Sequence, residues 1–157
     1  MENQRLLDEL LEAREALLGE LSAVAPESMT TPGLLGEWSA RELIAHLGYW
    51  AGHAVEIIHA AEEDRLEELG VDDPAVDDVN ETVARVARET DLATVRKREA
   101  ASVEVLVERL RALDPSLLAQ RLPDGASLAD GIREDAAAHY REHADELRAI
   151  LRERPRG

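Results

Sequence analysis

Two histidines four residues apart, His139 and His143, stand in the stretch AAAHYREHADEL, residues 136 to 147. On an α-helix that spacing puts both imidazoles on one face, one turn apart, within reach of a single metal ion. Alone, the pair has a second reading, because each ring is equally at home as a packed or solvated histidine. Position narrows the choice. Both fall in line with Ala136, Leu147 and Ile150, the apolar seam that must face a core. Burying two imidazoles among aliphatic side chains costs free energy unless a metal or a hydrogen-bond network pairs with them.

A metal needs at least one more ligand, and the remaining histidines are His46, His53 and His59. His46 is in register with Leu43, Trp50 and Ile57 on an apolar face, and His53 shares that face two turns on. His59 lies at the rim, where solvent is the expected partner. His46 and His53 are about 10 Å apart along a helix axis, so one of them can join the pair while the other packs or lines a pocket.

The elements that must carry these residues are helical. Leu6, Leu7, Leu10, Leu11, Leu17, Leu18 and Leu21 stripe a first helix over residues 2 to 24, and two prolines and two glycines within residues 25 to 37 mark a connection. A second helix begins at WSARE, where Ser39 and Glu42 form a capping box and Trp38 with Leu43 a hydrophobic staple. Its pattern runs to about residue 69, with Gly70 as the stop. The third starts near residue 76 after the turn VDDPAVDD and falters at ETDLA. Asp91 can cap a new start there, which predicts a kink or two helices end to end, finishing near Leu113. Asp114 with Pro115 opens a short helix over 115 to 120, LPDGA is a turn, and Ser127 with Asp130 marks a final helix running to about residue 153. The tail ERPRG, 153 to 157, is expected to fray. The fold class is all-α, a four-helix bundle forming a single domain over residues 1 to 157.

Composition sets outer limits. The chain has 157 residues, no Phe, two Trp and two Tyr, so its core rests on Leu, Ile, Val and Ala. A formal net charge of −16 repels phosphate backbones and anionic lipid, so no nucleic acid and no membrane partner is expected. Cysteine is absent, and any sulfur chemistry must use a thiol brought from outside. The sequence shows neither a signal-peptide core nor a membrane-length apolar run, which reads as a cytoplasmic protein.

Taken in order, three segments resemble one family. EWSARELIAHLGYW is similar to the stretch of DinB-like four-helix proteins in which Trp precedes the second helix and a metal-binding His opens it. HYREHADEL resembles the family's last helix, with its HxxxH or HxxxE pair, and DDVNETVARVARETDLATV resembles helix three of the mycothiol-dependent isomerases. The likeness covers nearly the whole chain and implies a metal site of His46, His139 and His143. Zinc suits those ligands best, with nickel, iron, cobalt and manganese also compatible.

The resemblance also implies a thiol-dependent transferase or isomerase. In such an enzyme a low-molecular-weight thiol such as mycothiol or bacillithiol loses its proton at the open metal position and attacks an electrophile held against Trp50. Arg41 and Arg141, near the metal end, are the candidates to hold an acidic thiol, and Asp135 and Glu142 are close enough in sequence to orient a ligand ring. The family's maleylpyruvate isomerases carry a carboxylate at one ligand position and a further C-terminal domain. Here His139 takes that position and the chain ends at residue 157, so the all-histidine set looks more like the transferase branch. The competing reading is a non-catalytic bundle that binds a metal or small molecule. Hydrolysis ranks lower, because HxxxH lacks the Glu that follows the first His in HExxH proteases. The leucines of the first helix exceed what one seam needs, and the expected assembly is a homodimer.

Overall fold

The computed structural model describes residues 1–153; of the tail 153–157 expected to fray, Glu153 closes the last helix and residues 154–157 lie outside the described residues. Among the described residues six α-helices carry the fold: α1 (Glu2–Leu21), α2 (Ala40–Glu62), α3 (Val76–Arg88), α4 (Leu92–Ala112), α5 (Leu128–Asp135) and α6 (Ala137–Glu153). Single 3-10 turns occupy Pro26–Met29, Leu66–Glu68 and Pro115–Ala119. Among the described residues there is no β-strand. With α3 and α4 as one broken rod and α5 and α6 as another, the architecture is an all-α four-helix bundle in which α2 packs chiefly on α4 and α1 on α6.

The core is aliphatic, as the lack of Phe requires. Leu6, Leu10, Leu17, Leu43, Leu47, Ile58, Leu106 and Leu147 are among its fully buried members. Small residues set how closely the helices approach. A Cβ placed on Gly48 of α2 would come within 3.0 Å of the Glu99 backbone in α4, so glycine is what allows these two helices to meet there.

Local chemistry explains most of the boundaries. At the start of α2 the Glu42 carboxylate accepts from the Ser39 backbone N–H at 2.5 Å and from the Ser39 hydroxyl, completing the capping motif. Asp91 caps α4 by accepting from Thr94 N–H, so the faltering at ETDLA is a true break. Asp114 accepts from Ser116 N–H and opens the short turn before LPDGA.

Three boundaries differ from expectation. The first helix ends at Leu21 and not at residue 24. The second helix stops at Glu62 and not near residue 69. Asp64 takes a left-handed conformation (φ 56°), and Arg65 N–H bonds back to Ala60 O at 2.8 Å, a Schellman-type stop formed without glycine. The last rod is not continuous either. Ala136 (φ −121°, ψ −88°) separates α5 from α6. Alanine favours helix, so no local residue preference produces this break.

Candidate metal centre

His46 on α2 comes from one side of the bundle, and His139 and His143 on α6 from the other. Donor atoms of the three imidazoles all lie within 4.8 Å of one another, the geometry of a group able to hold a metal ion. The Nε2 atoms of His46 and His139 are 2.8 Å apart, so one ring donates its N–H to the other. Tetrahedral coordination with bonds of 2.0–2.1 Å needs ligand nitrogens about 3.3 Å apart, between the closest and widest separations present.

Burial and mutual repulsion disfavour charge on His46 and His139. His46 is 6 % exposed, and its pKa is pushed down to about 3, first by burial and then by His139 and His143. His139 is lowered too, by burial and by His143, with a hydrogen bond to the Asp135 backbone opposing the shift. Neutral imidazole is the form that ligates metal. Two further observations fit an ion. Nδ1 of His46 and Nδ1 of His143 are buried without a hydrogen-bond partner, although Glu146 Oε2 lies 3.4 Å from the latter. Leaving such groups unpaired is costly unless the site has another occupant.

The surroundings are built from α2, α3 and α5. Trp38 packs on His46 with ring centres 4.9 Å apart. Trp50 Nε1–H donates to Asn80 Oδ1 of α3 at 2.9 Å, and its indole meets the His53 ring edge-on. Asn80 also approaches His46. Sequence reasoning missed Asn80, yet a signal was there: it stands at i, i+4, i+7 with Ala84 and Ala87, a polar residue on the inward stripe of α3.

The other candidates are placed as follows. Arg41 lies 3.6 Å from the Glu42 carboxylate and donates to Thr90 O, while its Nε is buried without a partner. Arg141 is exposed. Asp135 acts on His139 through its backbone and its charge, both favouring the protonated ring. Its carboxylate accepts from His53 Nδ1 at 2.6 Å, an interaction that raises the His53 pKa against burial. Glu142 is exposed and acts on His139 through its charge. His59 is exposed, as its rim position implied, and faces Glu63 at 3.1 Å.

A helical bundle with a three-histidine cluster between its second and last rods is the DinB-like arrangement. The match to known proteins agrees: residues 10–144 fit the family model described as the mycothiol maleylpyruvate isomerase N-terminal domain, and the chain belongs to that family within the DinB-like superfamily. In fold it is similar to the crystal structure of an uncharacterised protein from Escherichia coli UTI89, with a TM-score of 0.81 at 14 % identity over 96 % of this chain and 92 % of the other. No curated protein matches it. Among the described residues no helix is long and apolar enough to cross a membrane.

Proposed function

We propose that the protein is a divalent-metal-dependent thiol transferase in which His46, His139 and His143 hold the ion, zinc being first choice for three neutral nitrogen ligands. The observation that carries this reading is the convergence of three buried or half-buried imidazoles with two orphaned Nδ1 atoms. When bound, the metal would supply a Lewis acid that lowers the pKa of a coordinated thiol such as mycothiol or bacillithiol. That role suits a chain without cysteine of its own.

The protein's residues contribute orientation and exclusion of water. Burial holds His46 neutral, so binding an ion requires no proton loss from it at any ordinary pH. The Asp135 backbone is the acceptor that would orient the His139 ring. Trp50, held by Asn80, forms an apolar wall for the electrophile. Arg41, with its unpartnered Nε, is the group that holds an acidic portion of the thiol, and Arg141 screens it from outside. Having His139 where the family's isomerases carry a carboxylate favours transfer over isomerisation. Two exposed leucines on α1, Leu11 and Leu18, support a homodimer.

The test is thiol transfer to 1-chloro-2,4-dinitrobenzene by zinc-loaded protein, with mycothiol, bacillithiol and cysteine as donors. Acceleration over the uncatalysed rate that is lost in His46→Ala supports the reading. Stoichiometric zinc without acceleration by any donor overturns the transferase and leaves a metal-binding bundle.

A further inference from the structure

α3 is thinly packed. Of its 13 residues it buries two, Ala84 and Ala87. It is held to the bundle near its ends by the Trp50–Asn80 hydrogen bond and by Arg41 donating to Thr90 O. Two alanines cannot fill the space between α3 and its neighbours, and a cavity of about 310 Å³ remains between α2, α3 and α4. That volume lies in the range of small-molecule pockets.

The wall is mostly apolar, formed by Ala45, Val83, Val86, Ala87 and Val95. Val86 and Tyr49, two of the large apolar side chains left exposed on this protein, belong to the same lining, so the apolar surface continues to the outside. Two charged residues, Arg98 and Glu99, belong to the lining. The exposed Arg98 side chain has no hydrogen bond or ion pair among the described residues. It ends the run Arg96-Lys97-Arg98, three consecutive cations in a chain of net charge −16. The neighbouring carboxylates are already engaged. Glu99 takes Arg14 at 2.6–3.0 Å and the Tyr140 hydroxyl at 3.2 Å, and Asp91 caps α4 and acts on Lys97. Arg98 is therefore the charge available to a ligand.

We propose that this cavity binds an amphipathic organic acid, its apolar chain or ring seated beneath α3 and its carboxylate on Arg98. The site stands on the cavity and its charge, independently of the three histidines. Apolar burial supplies the attraction and the guanidinium selects the anion. Tyr49 links the cavity to the metal side, because its ring meets Trp50 edge-on at 5.2 Å. A ligand against Tyr49 is thus expected to change tryptophan fluorescence.

Decanoate is the probe, with decanol as its uncharged counterpart, titrated calorimetrically into the full chain. Decanoate is expected to bind one per chain, with Arg98→Glu weakening it about tenfold or more and leaving decanol unchanged. Ser102→Leu, which fills the cavity from α4, should remove both. Should that variant misfold, Val86→Asp at the exposed rim makes the same test. Chelator-treated protein should bind decanoate as tightly as zinc-loaded protein, so loss of the metal reading leaves this result standing. Absence of decanoate binding, an unchanged affinity in Arg98→Glu, or binding lost on chelation would each overturn the proposal.

Discussion

His46 and His139, 93 residues apart in sequence, place their Nε2 atoms 2.8 Å from one another across the interface of α2 and α6. The contact joins a buried and a half-buried imidazole through one N–H, and the pKa of each ring is lowered. Their burial has a consequence for stability without metal. The unfolded chain protonates these histidines near pH 6.5, whereas the folded chain resists until His46 reaches about pH 3. As pH falls through this window the unfolded state binds more protons and stability declines. Urea unfolding of metal-free protein between pH 7 and pH 4 should show a loss, and His46→Leu should reduce it by roughly 1–3 kcal/mol. An identical pH dependence in the two proteins would show that His46 is not held neutral.

His53 has the opposite sign. Its pKa is raised first by the hydrogen bond to Asp135, with Glu56 and Asp73 adding in the same direction and burial opposing. The folded state holds this proton more tightly, so the stabilisation is complete below about pH 6.5 and disappears as pH rises through the raised value. Asp135→Asn should flatten the decline of the urea midpoint between pH 6 and pH 9. The effect should be about 1 kcal/mol or less for a partly exposed pair.

Glu99 is the most demanding buried charge. It accepts three hydrogen bonds from two nitrogens of Arg14 and a fourth from the Tyr140 hydroxyl, joining α1, α4 and α6. Glu99→Ala leaves a guanidinium and a phenol without their acceptor and should cost about 3–5 kcal/mol. Tyr140→Phe removes one donor and should cost roughly 1–2 kcal/mol. Thermal unfolding of both variants checks the ranking, and equal losses would contradict it.

Leu11 and Leu18 lie two turns apart on α1 and are 41 % and 44 % exposed. If they form the seam between two copies, sedimentation will give twice the chain mass, and Leu11→Glu with Leu18→Glu will give the monomer. An unchanged mass in the variant would place the contact elsewhere or nowhere.

Much of this was legible in the sequence because periodicity carries it. The inward register of His46, His139 and His143 follows from their spacing against Leu43, Ala136 and Leu147, and capping residues announced the starts of α2, α4 and α5. What was illegible depends on long-range context. Asp64 ends α2 in a conformation usually given to glycine, and the break at Ala136 occurs among good helix formers. The choice between His46 and His53 was also tertiary: spacing left either as third ligand, and the structure gives His53 to Asp135. Asn80 could have been noticed as a polar residue on a short apolar stripe, but its bond to Trp50 spans two elements.

The central claim is that three histidines hold a metal. Elemental analysis of untagged protein, beside the His139→Ala, His143→Ala double variant, tests it most directly. About one divalent ion per parent chain is expected, and none in the variant. A parent that carries no metal, even after incubation with zinc or nickel, would contradict it and leave the three imidazoles as a hydrogen-bonded core cluster.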